Sequence, residues 1–157
     1  MNIALTGISG FIGTAIARHA TRAGHRVRGL VRATSRVDHL EPWADRLVVG
    51  AQSDAQARSE LLDGADVVIH NSFDWRALKH GAPEDHLQGN LVSSLDLLRE
   101  AGDRPFIYLS SVAVHHFIDD RWNGSIDELH PTRPGSLYGA FKAAVEAHMW
   151  AAHADHG

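Results

Sequence analysis

Short runs of Val, Ile and Leu recur between stretches of helical character, and this alternation constrains the fold more than any other feature of the chain. The runs are Asn2–Thr6, Arg26–Val31, Leu47–Val49, Asp66–His70 and Pro105–Ser110. Each is nearly continuous in apolar residues rather than alternating, as expected of strands covered on both faces. Helical stretches lie between them. Residues 11–23 set Phe11, Ile12, Ala15, Ile16 and Ala20 on roughly one face, with Gly24 placed to end the helix. Ala55–Leu62 and Leu87–Ala101 follow the same logic, the second with Leu91, Leu95 and Leu98 at helical spacing, and Gly64 and Gly102 stop them. Residues 135–156, rich in Ala and free of Pro, predict a last helix. Strands alternating with helices imply an α/β doubly wound fold: a parallel sheet with right-handed crossovers and helices on both faces. No repeat, low-complexity tract or linker divides the 157 residues.

Composition narrows the function classes. With 44% hydrophobic residues and a net charge of −4, the chain is neither a disordered segment nor a basic surface for nucleic acid or anionic membranes. It has no cysteine, hence no disulfide, thiol nucleophile or thiolate metal site, which fits a reducing compartment. Met1–Thr6 enters a strand with no charged leader, and no apolar run approaches the ~18 residues of a membrane span. A cytoplasmic protein is expected, with no membrane or nucleic-acid partner.

The turn after the first run reads Thr6-Gly7-Ile8-Ser9-Gly10-Phe11-Ile12-Gly13, or T-G-x-x-G-x-x-G. Gly7 permits a tight exit from the strand, Gly10 lets a pyrophosphate approach the backbone, and Gly13 allows close helix packing. The helix N-terminus then offers free N–H groups and partial positive charge to phosphates. Thr6, Gly7, Gly10, Phe11, Ile12 and Gly13 are therefore the expected dinucleotide contacts of a Rossmann-type domain, while the absence of Gly-Lys-Ser/Thr argues against an NTPase. A carboxylate ending the second strand would hold an adenosine ribose, whereas an arginine would meet a 2′-phosphate. Here Leu30-Val31-Arg32 leads into Ala33-Thr34-Ser35-Arg36, with no carboxylate before Asp38. Arg32 and Arg36, helped by Ser35, favour NADP, with NAD as the alternative.

Chemistry-bearing residues follow. Ser110-Ser111 closes the fifth run, where open α/β sheets bind ligands, so Ser111 could hydrogen-bond a substrate carbonyl or hydroxyl. Tyr138 and Lys142 share one helical face at i, i+4. A phenol titrates near ~10 and is a poor acid–base group at neutral pH unless a cation stabilises its anion, which an ammonium one turn away can do.

With these motifs in place, the sequence resembles the extended short-chain dehydrogenase/reductase superfamily, the branch of epimerases, dehydratases and dihydroflavonol-reductase-like enzymes. The resemblance runs through the glycine turn, Asp66-Val67-Val68-Ile69-His70, Asn90-Leu91, Leu109-Ser110-Ser111-Val112-Ala113-Val114, and residues 134–146. It implies hydride transfer at a nicotinamide to or from a carbonyl or secondary alcohol. Tyr138 would be the acid–base residue, Lys142 its partner and a ribose ligand, and Ser111 the polarising hydroxyl, with Asn90 supporting the active-site helix beside the cofactor.

Departures from the family pattern shape the expectation. Gly50 is followed by Ala51-Gln52 rather than Asp, so an adenine contact is lost or falls to Gln52 or backbone. Ser72-Phe73-Asp74-Trp75 is bulkier than the usual small residues, and Val112-Ala113 replaces the Asp-Glu pair of sugar dehydratases, which disfavours dehydration. His115-His116 stands where Tyr-Gly is common. His115 is a candidate substrate contact, and an ordinary loop histidine otherwise. His70 is expected to be structural, and His148, His153 and His156 lack metal-pair spacing, so no metal site is expected. Trp75, Trp122 and Trp150 are expected to pack.

The complete fold has six strands in the order 3-2-1-4-5-6, against five runs here. The sixth strand and substrate lobe are therefore expected to be missing from residues 1–157. The fifth strand would then be an edge covered by a partner chain, for instance in a homodimer, or by sequence beyond these residues. A non-catalytic dinucleotide-binding module or an inactive fragment is the alternative to an enzyme.

Overall fold

The Val and Ile runs do become strands, buried on both sides in the middle of the sheet but not at its edges, where Val49 is 64% and Ile107 50% exposed. The computed structural model describes residues 1–115 and 124–156. The chain divides into two compact units, Met1–Leu109 and Ser110–Gly157.

In the first unit, strands β1 (Asn2–Thr6), β2 (Arg26–Val31), β3 (Arg46–Val49), β4 (Val67–His70) and β5 (Phe106–Tyr108) form one sheet ordered β3-β2-β1-β4-β5. Every pairing is parallel, with Ile3 opposite Val27 on one side and Val67 on the other. This is the doubly wound, Rossmann-type arrangement expected. Helices α1 (Phe11–Arg22) and α2 (Ala55–Leu62) follow β1 and β3. After β4 come α3 (Trp75–His80), α4 (Pro83–His86), a π-turn over Leu87–Val92, and α5 (Ser93–Ala101).

Alternation along β1 splits the core. Ile3 and Leu5 join Val27, Val31, Val67 and Ala17 of α1 on one face. Ala4 joins Leu30, Val48 and Val68 with Leu61 and Leu62 of α2 and Leu97 and Ala101 of α5 on the other. Burial of these side chains contributes roughly 1.5–3 kcal/mol for each large aliphatic residue. Arg58 of α2 is only 4% exposed, and the Glu100 carboxylate at 2.8 Å keeps it charged, helped by Asp96.

Several expectations need correction. Phe11 and Ile12 do not face the core: they are 94% and 52% exposed, and Gly13 and Ala17 form the buried stripe of α1. The close approach at Gly13 fixes which face turns inward. In α5 the fully buried positions are Ser93, Ser94, Leu97 and Ala101, while Leu91, Leu95 and Leu98 are half-buried. The π-turn accommodates an extra residue and rotates the stripe. The fifth strand ends at Tyr108, so Ser110 and Ser111 follow the strand instead of closing it. Two short helices, α3 and α4, had no counterpart in the sequence pattern. The last helix starts two residues later than expected.

The second unit contains a 3₁₀ turn over Val112–His115 and the helix α6 (Leu137–His156). Ser136 caps α6, its hydroxyl accepting from Gly139 N at 3.1 Å. His116 and Trp122 lie outside the described residues, as does the side chain of His156. No helix among the described residues is long and apolar enough to cross a membrane.

Candidate functional site

In the first unit, the ends of β1, β2 and β4 meet the glycine turn. Gly7 has φ +68°, and a Cβ there would stand 3.0 Å from the backbone of Asn71 and Ser72. A Cβ on Gly13 would stand 2.1 Å from Gly7 O, so α1 rests directly on the turn. Gly10 differs. Its backbone is extended (φ −83°), and a Cβ would meet only Gly7 O at 3.4 Å. The protein leaves the space in front of Gly10 open. No side chain caps α1 and no acidic residue sits in its first turn, so its N–H groups are available to an anion. This cradle fits a dinucleotide pyrophosphate.

Beneath the turn runs a buried polar chain whose hydrogen-bond directions can be counted. Thr6 Oγ1 accepts from Asn71 N and Ser72 N and lies 2.7 Å from His70 Nδ1. Ser94 Oγ donates to Asn90 O, accepts from Gln52 Nε2 and lies 2.8 Å from His70 Nε2. With both acceptor sites of the threonine filled by backbone, its proton goes to Nδ1, and Nε2–H donates to Ser94. His70, fully buried, is thus held as one neutral tautomer. Gln52 also donates to Ser93 and accepts from Ser72, so its side chain is turned inward rather than toward a ligand.

Asn90 sits in the π-turn, 5% exposed. Its Oδ1 accepts from Asp74 N at 2.6 Å, and its Nδ2 donates to Asp74 O and lies 2.8 Å from His86 Nδ1. Burial holds His86 below the usual imidazole range. Asp74 Oδ1 caps α3, accepting from Arg76 N and Ala77 N, while its Oδ2 lies 3.4 Å from Arg32. Arg36 is exposed. Ser35 Oγ accepts from Arg32 N at 3.2 Å, which folds the loop after β2 back on itself.

In the second unit, Ser111 Oγ accepts from Ala113 N at 3.2 Å, opening the 3₁₀ turn. Tyr138 and Lys142 lie one turn apart on α6, with Nζ 6.0 Å from the phenol ring centroid. Lys142 is only 3% exposed, and burial lowers its pKa to about 8 against the opposing pull of Glu146. Gly139, between them, is a residue that sequence reasoning passed over. A Cβ there would stand 2.2 Å from Ala113 O and 3.1 Å from Pro134 Cβ. Only glycine lets the first turn of α6 press against the turn that carries Ser111. His115 Nδ1 donates to Pro131 O, and its ring meets that of buried His130 edge-on at 5.2 Å.

The profile of the NAD-dependent epimerase/dehydratase family matches residues 3–157. The chain belongs to that family. Relatives within it include a Synechocystis sp. protein provisionally named dihydroflavonol 4-reductase, 30% identical over 151 residues, or 94% of this chain and 42% of the relative. A UDP-glucose 4-epimerase of Streptomyces lividans is 28% identical over 98% of this chain and 48% of its own length. Among solved structures, a short-chain dehydrogenase/reductase superfamily protein from Agrobacterium tumefaciens with bound NAD superposes with a TM-score of 0.71. It is 28% identical, and the match covers 94% of this chain and 43% of that one. The chain spans about half the length of the family members it matches.

Proposed function

We propose that residues 1–157 form the cofactor-binding part of an NADP-linked oxidoreductase or epimerase acting on a carbonyl or secondary alcohol, and that they carry its acid–base group. The observation that carries the reading is the buried Lys142 ammonium beside the Tyr138 ring, on a helix that Gly139 seats against the Ser111 turn. The glycine turn and the α1 N-terminus would hold the pyrophosphate, Arg32 and Arg36 the 2′-phosphate, and Lys142 a ribose hydroxyl. When bound, the nicotinamide supplies or accepts a hydride. Tyr138 takes the proton of a substrate hydroxyl in oxidation and returns it to a carbonyl oxygen in reduction. The Lys142 charge stabilises the negative charge that develops on the phenol oxygen. Ser111, whose oxygen already accepts from Ala113 N, turns its O–H toward the substrate oxygen.

Tyr138→Phe tests the assignment. The variant should bind cofactor as the parent does and lose turnover by about 10²–10⁴-fold. Undiminished turnover would remove Tyr138 from the acid–base role. Titration with NADPH and NADH tests the cofactor; tenfold tighter NADH binding, on the order of 1.4 kcal/mol, would overturn the preference for NADP.

A further inference from the structure

The end of β2 carries no carboxylate in sequence, yet the fold delivers one there from 42 positions away: Asp74 Oδ2 stands 3.4 Å from Arg32 Nη1. The two partners are held very differently. Asp74 is pinned, its Oδ1 accepting from Arg76 N at 3.0 Å and Ala77 N at 3.1 Å, and its backbone N–H and C=O both bonded to the Asn90 side chain. Arg32 sits on an exposed turn, its side chain 59% accessible. The carboxylate cannot swing aside without uncapping α3, so any exchange of partners must be made by the guanidinium.

We propose that Asp74 is a specificity-determining residue, occupying Arg32 and competing with an adenosine 2′-phosphate for it, so that this chain discriminates less between NADP and NAD than its arginine implies. The inference rests on the reading that Arg32 meets the 2′-phosphate. A phosphate dianion approaching Arg32 must displace the carboxylate from the guanidinium, whereas a plain ribose hydroxyl meets no such penalty. Because the pair is solvent-exposed, the effect is modest and falls with salt.

The test uses the full-length protein and fluorescence titration with NADPH and NADH at low ionic strength. Asp74→Asn and Asp74→Ser both keep a good N-cap while removing the charge, so one of them stands in if the other folds poorly. Each should tighten NADPH binding about fivefold, the size of an exposed ion pair, and change NADH binding by less than about twofold. Arg32→Ala alone should weaken NADPH about tenfold or more, and adding Asp74→Asn to it should bring no gain. Unchanged or weaker NADPH binding in both Asp74 variants, with Arg32→Ala still impaired, would sink the inference and leave the 2′-phosphate reading standing. A gain that persists in the double variant would show direct repulsion of the cofactor and equally overturn the competition. If Arg32→Ala leaves NADPH binding untouched, the 2′-phosphate reading fails and takes this inference with it.

Discussion

Lys142 carries opposing demands on stability and chemistry. Its pKa falls from an ordinary 10.5 to about 8 because burial disfavours the ammonium. Below pH 8 folded and unfolded chains are both protonated at this group, and the folded state bears the full cost of the buried charge. Between pH 8 and 10.5 the unfolded chain holds more proton, so stability rises with pH, by on the order of 3 kcal/mol in all. That stability is lost again as pH falls back through 8. Urea unfolding of the parent should show this slope, and a Lys142→Met variant should lack it. On the proposed role, activity should run the other way, declining as pH rises through about 8, because the ammonium beside the Tyr138 ring disappears. A turnover profile that stays flat up to pH 9.5 would remove Lys142 from the acid–base pair.

Elements in this fold are positioned by single atoms. The carbonyl of Ala113 leaves no room for a side chain at residue 139. Gly139→Ala should cost about 1–3 kcal/mol of stability through overpacking and lower kcat more than cofactor affinity, as measured by steady-state kinetics beside NADPH titration. In the first unit, Ser94→Ala would remove the buried hydroxyl that His70 Nε2, Asn90 O and Gln52 Nε2 all bond. A loss of about 1–3 kcal/mol on urea unfolding is expected. These elements were unevenly legible in the sequence. β1, β2 and α2 carry their boundaries in apolar runs and flanking turn residues, and the structure reproduces them. Helix α3 buries none of its residues, so it has no apolar period to read. The π-turn breaks helical phase, which is why Leu91, Leu95 and Leu98 suggested the wrong buried stripe. Contacts between residues distant in sequence were invisible for a plainer reason: nothing near Arg32 announces Asp74, and nothing near His70 announces Ser94.

Across the whole molecule, the parallel order β3-β2-β1-β4-β5 gathers the carboxyl ends of the strands at one edge of the sheet, and the polar residues cluster there. A cofactor that binds only the folded chain stabilises it by mass action, about 2.7 kcal/mol at a hundred times Kd. Thermal unfolding should therefore shift upward with NADPH. Gly10→Ala should unfold close to the parent temperature without cofactor, because its backbone is extended and its Cβ has space, yet gain much less when NADPH is added. Gly13→Ala should unfold early in both conditions. The two glycines thus answer to different masters. A descendant that kept the fold but abandoned its nucleotide would be free to drift at residue 10 while still bound to glycine at 7 and 13, so the middle position of the motif is the one that tells a working relative from a retired one.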